Sequence, residues 1–170
     1  GSIVISTPAG TVMGLRPMRR FLDQWWHSPD QVIGMFPDWF APPQRDWPEP
    51  TELVGFPLYD EQDLVGISTE LDAFLQGGAA PIAFTPGSAM MEGHAFFRAA
   101  VDACVMMKQR GVLLTRHIEQ VPKNLPANVI HVDYVPFSLL LRRCAAVVHH
   151  GGIGSTAQAL AAGIPQLIMP

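Results

Sequence analysis

The sequence predicts a doubly wound parallel α/β sheet, preceded by a proline-rich strap, and three observations predict it. Short unbroken apolar runs recur between residues 81 and 169, separated by segments whose apolar residues fall at helical spacing. Strands without polar alternation are buried on both faces, as in a sheet covered by helices on either side. Glycines close the helical segments, and successive strands joined through helices run parallel with right-handed crossovers.

The elements follow in order. Leu15 to His27 is expected to be a helix, with Met18, Leu22 and Trp25 or Trp26 on one side. Pro29 to Pro57 contains seven prolines (29, 37, 42, 43, 48, 50, 57) with Trp39, Phe40 and Trp47 between them. Such a stretch forbids long helices and reads as a stiff, extended strap. Its aromatics are too apolar for a freely solvated linker, so the strap should pack on at least one of the domains it joins. Beyond Asp60, Thr69 to Leu75 is a short helix and Pro81 to Thr85 the first strand, followed by a loop over Pro86-Gly87-Ser88. His94 to Arg110 forms a helix with Phe97, Ala100, Val101, Cys104 and Met107 on one stripe, closed by Gly111. Val112 to Thr115 and Val129 to Val132 are strands, Pro136 to Cys144 a short helix, and Ala145 to His149 a fourth strand. Gly152 to Ala162 is a helix stopped by Gly163, and Gln166 to Met169 a fifth strand with no helix after it to cover its sheet. Both ends read as cut from a longer protein.

Composition narrows the function. A chain of 170 residues is long enough for a substantial core, and its 48% hydrophobic and 15% charged residues argue against global disorder. Eleven Lys and Arg against fifteen Asp and Glu leave a net charge of -4, which offers no field for a nucleic-acid backbone. Cys104 and Cys144 lie in apolar stretches with neither redox nor zinc spacing and read as buried free thiols. No run reaches the ~18 apolar residues of a membrane span and the start lacks a basic leader, so the expected setting is cytoplasmic. Arg16, Arg19 and Arg20 with Trp25 and Trp26 allow at most a peripheral membrane contact, with packing the favoured role.

In parallel sheets ligands bind beyond the carboxyl ends of the strands. The richest such loop is His149-His150-Gly151-Gly152-Ile153-Gly154-Ser155-Thr156: a strand end, a glycine turn, and a helix opening on hydroxyls. Glycines let backbone approach an anion, and free N–H groups at a helix start attract a phosphate. The plainer reading makes the glycines a tight turn and Ser155 a helix cap. A P-loop would need Lys where Ser155-Thr156 stand. Gly152-Ile153-Gly154-Ser155-Thr156-Ala157 fits a dinucleotide pattern that belongs to the first βα turn rather than the fourth. Adjacent residues of a strand face opposite ways, so His149 and His150 do not share a metal; His149 reads as a packed strand residue, and His150 as a donor toward a diphosphate. Gly87 and Ser88 offer a further N–H and hydroxyl, and Tyr134-Val135 an aromatic beside extended backbone, suited to stacking on a base and reading its edge.

These residues carry a resemblance. Tyr134-Val135-Pro136-Phe137, His150-Gly-Gly-Ile-Gly-Ser-Thr156 and Ala161 through Pro170 resemble the donor-binding signature of nucleotide-sugar-dependent GT-B glycosyltransferases of the UDP-glycosyltransferase family. Ala83 to Ser88 and Phe97 to Leu114 resemble the first βαβ unit of the same Rossmann-like C-terminal domain, so the likeness spans roughly residues 80 to 170. Tyr134 and Gly154, where plant members often carry Trp and Asn, point to the bacterial or sterol-type branch.

The resemblance implies residues 1–58 as the end of an N-terminal acceptor domain with the interdomain linker, and 59–170 as a donor-binding domain truncated at its C-terminus. It implies that Tyr134 stacks on the base, that the Val135 backbone reads its edge, and that Gln158 stands where an acidic residue commonly grips the ribose. Gly87, Ser88, His150, Gly152, Gly154, Ser155 and Thr156 would hold the diphosphate. The implied parent reaction is inverting transfer from a UDP- or dTDP-sugar to a hydroxyl of a small or lipid-like acceptor, without metal or other cofactor. Its catalytic base would lie in the N-terminal half, so the 170-residue chain alone is expected to be inactive. A non-catalytic nucleotide-binding module and a nucleotide-sugar epimerase of related fold are the alternatives.

Overall fold

The computed structural model describes residues 4–5, 14, 18–19, 27–28, 30–87 and 93–169. They divide into two compact units, Gly1–Pro57 and Leu58–Pro170.

In the first unit, β1 (Val4–Ile5) pairs antiparallel with β2 (Met18–Arg19), and β3 (Val32–Gly34) pairs parallel with β4 (Thr51–Leu53). Two expectations change here. Met18 and Arg19 are strand, not helix, and the rest of the Leu15–His27 prediction lies outside the described residues save His27. The strap is not extended throughout: it doubles back so that β4 lies beside β3. The aromatics pack on one another, Phe36 edge-on to Trp47 at 5.9 Å and Phe56 against Trp39 at 5.9 Å and Phe40 at 5.2 Å between centroids. Prolines that exclude helix thus leave a loop whose rings pack edge-on, although Trp39 and Phe40 stay exposed.

The second unit holds a five-stranded parallel sheet in the order β7-β6-β5-β8-β9, formed by β5 (Ile82–Thr85), β6 (Gly111–Leu114), β7 (Val129–Val132), β8 (Ala146–His149) and β9 (Gln166–Ile168). The helices are α1 (Thr69–Gln76), α2 (His94–Met107), α3 (Phe137–Leu140) and α4 (Ile153–Ala162). The two-residue period of the strands divides the core. Ala83, Val112, Leu114 and Val147 join Leu71, Leu140 and Ala159 on one face, while Phe84, Leu113, Val129 and Val148 join Phe97, Ala100 and Cys104 on the other. A side chain as fully enclosed as Phe97 contributes about 1.5–3 kcal/mol by burial alone.

Helix ends show local chemistry. Ser68 caps α1 by accepting the Leu71 N–H at 3.2 Å. At the other end of α1, Arg110 donates to the carbonyls of Phe74 and Ala79, and its guanidinium lies 4.0 Å from the Phe74 ring centroid. The α2 helix ends earlier than predicted, at Lys108, which takes a left-handed φ of 52°. Gly111 is not its cap but the first residue of β6, where an added Cβ would come 2.6 Å from Cys104 Sγ. Met107, expected on the buried stripe, lies past the last inward turn and is exposed. The short helix predicted to Cys144 is α3 followed by a 3₁₀ turn over Leu141–Arg143, and Gly163 closes α4 with φ 70°.

Candidate functional site

The strand order places a topological switch between β5 and β8. From β5 the chain builds outward to β6 and β7, then returns to add β8 and β9 on the other side. The carboxyl ends of β5 and β8 therefore mark the usual ligand position in such sheets.

Two glycine turns meet there. Gly87 follows β5 with φ 93°, and Gly151 follows β8 with φ 89°, both in the region that favours glycine. The imidazole of the exposed His150 sits between Gly87 and Gly152: a Cβ on Gly87 would come 2.6 Å from its Cε1, and one on Gly152 would come 2.5 Å from its Nε2. These two glycines therefore make room for a protein ring, a demand that adds to the expected approach of an anion. At Gly154, by contrast, a Cβ would meet nothing within 4 Å.

Gly152 is the N-cap of the ten-residue α4, with no side-chain cap bond and no acidic residue in the first turn. Ser155 is thus not the cap. The first N–H groups of α4 keep their partial positive charge beside the His150 ring. Ser155 and Gln158 are half-buried on α4, whereas Thr156 is buried at 8% exposure. Ser88 lies outside the described residues.

His149 is fully buried, as expected of a strand residue, but its ring is not merely packed. Nδ1 accepts the Gly151 N–H at 3.1 Å, and Nε2 lies 2.9 Å from Gln166 Oε1. The rings of His149 and His150 stand 6.4 Å apart at 86°, one turned in and one out, as strand alternation requires.

Tyr134 and Val135 follow β7, two strands from β5 and so about 10 Å along the same edge at ~4.8 Å per strand. Val135 is anchored in the core, which holds its backbone still, while Tyr134 is 37% exposed. Three groups that the sequence reading did not single out lie beside this loop. Asp60 accepts the Ser138 N–H at 2.8 Å and its hydroxyl at 3.0 Å, capping α3. Partial desolvation and a hydrogen bond to the Glu61 carboxylate raise the Tyr134 hydroxyl above its usual range. The Arg116 guanidinium lies 4.9 Å from the Tyr134 ring centroid, over one face. Arg116 is the second residue past the end of β6, so its place after a strand was a usable signal; Asp60 and Glu61 precede the sheet and carried none.

Cys104 and Cys144 are buried free thiols; burial pushes both up, Cys144 to about 12, which leaves neither a nucleophile at neutral pH. Among the described residues no helix is long and apolar enough to cross a membrane.

Residues 99–170 match the family described as "Erythromycin biosynthesis protein CIII-like, C-terminal domain". The chain is 36% identical over 131 residues to O-mycaminosyltylonolide 6-deoxyallosyltransferase of Streptomyces fradiae, covering 76% of this chain and 30% of that protein. It is 33% identical over 132 residues to a sterol 3-beta-glucosyltransferase of Arabidopsis thaliana, covering 76% of this chain and 21% of that one. Among solved structures, the glycotransferase of kitacinnamycin superposes with a TM-score of 0.67 at 23% identity over 84% of this chain and 36% of that one, a likeness of fold. The parallel sheet with flanking helices is the architecture of GT-B glycosyltransferases, and the chain spans less than a third of the length of the two curated relatives.

Proposed function

We propose that this chain, which carries an erythromycin biosynthesis protein CIII-like C-terminal domain over residues 99–170, is the nucleotide-sugar donor-binding part of a glycosyltransferase. The observation that carries the reading is the meeting of two glycine turns around His150 at the switch point, beside the glycine N-cap of α4. A diphosphate placed there receives donors from His150, from the first N–H groups of α4 and from the Ser155 hydroxyl, while Gly154 leaves its path clear. Along the same edge, the Tyr134 ring takes the base on the face that Arg116 does not cover, and the Val135 backbone reads its edge. Gln158 is assigned to the ribose.

The donor class is a UDP- or dTDP-sugar. The acceptor is a hydroxyl on a small or lipid-like molecule, a class suggested by the tylonolide and sterol in the names of the two relatives. Transfer with inversion needs a base for the acceptor proton and stabilisation of the departing diphosphate. The residues named here supply the second, through dipoles and hydrogen bonds that strengthen as charge grows on the leaving group, with no call for a metal. None of them is assigned to the acceptor, so the transfer itself belongs to the whole protein.

Calorimetry on the 170-residue chain tests the reading. UDP or dTDP should bind more tightly than uridine or thymidine, and His150→Ala should remove about 1.5–3 kcal/mol of the nucleotide's binding energy. Equal affinity for nucleoside and nucleotide would overturn it.

A further inference from the structure

The buried imidazole of His149 lies directly beneath the proposed diphosphate turn, and its hydrogen bonds determine its tautomer. The Gly151 amide can only donate, so Nδ1, 3.1 Å away, is the nitrogen with the lone pair. The proton is therefore on Nε2, which donates to Gln166 Oε1 at 2.9 Å. That leaves the Gln166 amide nitrogen facing the Thr156 carbonyl of α4, at 3.4 Å. One chain of polar contacts thus runs from α4 through β9 to the end of β8 and up to the turn.

Gly151 adopts φ 89°, and a Cβ there would lie 2.9 Å from Ile168 Cγ2, so its peptide is wedged against β9. Rotation of that peptide would carry His150 on one side and Gly152, the N-cap of α4, on the other. Both are the groups assigned to the diphosphate.

We propose that His149 is a positioning residue of the donor site: its Nδ1 lone pair holds the Gly151 peptide so that the turn presents His150 and the start of α4 to a diphosphate, and Gln166 holds the imidazole in the tautomer that makes this possible. The proposal rests on the diphosphate reading above. It gives the paired histidines different tasks, one inside ordering the turn and one outside meeting the ligand.

Four measurements test it. In the ligand-free chain, nitrogen-15 NMR of His149 should show the neutral Nε2–H tautomer with Nδ1 unprotonated; a proton on Nδ1 would overturn the proposal without any ligand present. In calorimetry, His149→Phe should lower UDP or dTDP affinity about tenfold, the scale of one lost hydrogen bond, while nucleoside affinity stays the same. His149→Asn sets a carboxamide oxygen near the place of Nδ1 and should restore diphosphate affinity to within about threefold of the parent chain. Gln166→Met, which leaves the ring in place but frees its tautomer, should fall between the two.

A His149→Phe chain that melts earlier yet keeps its full preference for the diphosphate would reduce His149 to packing and overturn the positioning role alone. A parent chain without preference for diphosphate over nucleoside would overturn the site reading and the positioning role together. If His149→Phe does not fold, the tautomer and the Asn and Met variants still decide.

Discussion

Gly154→Ala separates what the fold needs from what a ligand needs. The residue is in the first turn of α4, its φ is not left-handed, and an added Cβ would meet nothing within 4 Å. For the protein alone the substitution is favourable, because alanine loses less backbone entropy than glycine in a helix, by up to ~1 kcal/mol. That gain corresponds to a melting temperature about 2–4 °C higher. For a bound diphosphate the sign reverses. A methyl group over the α4 N-terminus occupies the space a phosphate oxygen would take and displaces it from one or two N–H groups. A hydrogen bond to a charged group is worth ~1.5–3 kcal/mol, so UDP or dTDP affinity should fall by tenfold or more. Thermal unfolding and calorimetry on the same preparation read both quantities. A stabilised variant with undiminished affinity would refute the path of the diphosphate over Gly154; a destabilised one would show that the space is not open.

Three further outcomes follow from the geometry. Gly152→Ala carries no left-handed strain but puts a methyl 2.5 Å from His150 Nε2, so it should displace that exposed ring and reproduce the affinity loss of His150→Ala while changing stability little, a match readable by calorimetry and thermal unfolding. Tyr134→Ala should cost uridine and UDP alike about 1–3 kcal/mol of stacking, and Tyr134→Phe should cost little because the hydroxyl is engaged with Glu61 rather than with the base; a loss confined to UDP would place the base elsewhere. The Cys144 thiol has its folded value raised from 9.0 to about 12, so the folded chain keeps a proton that the unfolded chain loses. Its contribution is full below about pH 9 and is lost as pH rises toward 12, and urea midpoints should fall more steeply over that range than in Cys144→Ala.

The sheet was legible because its strands are unbroken and its helices periodic, so local pattern and tertiary demand agree. Helix ends were less so. Gly111 looked like a cap because glycine commonly is one, yet the helix stops at Lys108 and the glycine serves the close packing of Cys104 on β6. Met18 carried a helical spacing, but it and Arg19 are held in a two-residue strand by pairing with Ile5 and Val4, a cross-strand contact that helical periodicity does not register. At the site, the motif located the turn, but the roles of its glycines were not in the spacing. Gly87 and Gly152 are sixty-odd positions apart and yet flank one imidazole, a relation created by the β5–β8 pairing.

That pairing also explains how a chain with net charge -4 can offer a place for a diphosphate. None of the residues assigned to the diphosphate is a lysine or an arginine; Arg116 belongs to the base end of the edge. The attraction is built instead from groups with fixed direction: the N–H groups of α4, whose N-cap glycine has no side chain to occupy them, and one imidazole set between the Gly87 and Gly152 backbones. Such dipoles stabilise an anion only where the backbone keeps them aligned before the ligand arrives, since their individual fields are weak and fall off within a turn of helix. A mobile lysine would tolerate a loose turn, but this arrangement would not. The site's dependence on alignment is what makes the interior contacts of Gly151, His149 and Gln166 part of the binding surface, although none of the three need touch the ligand.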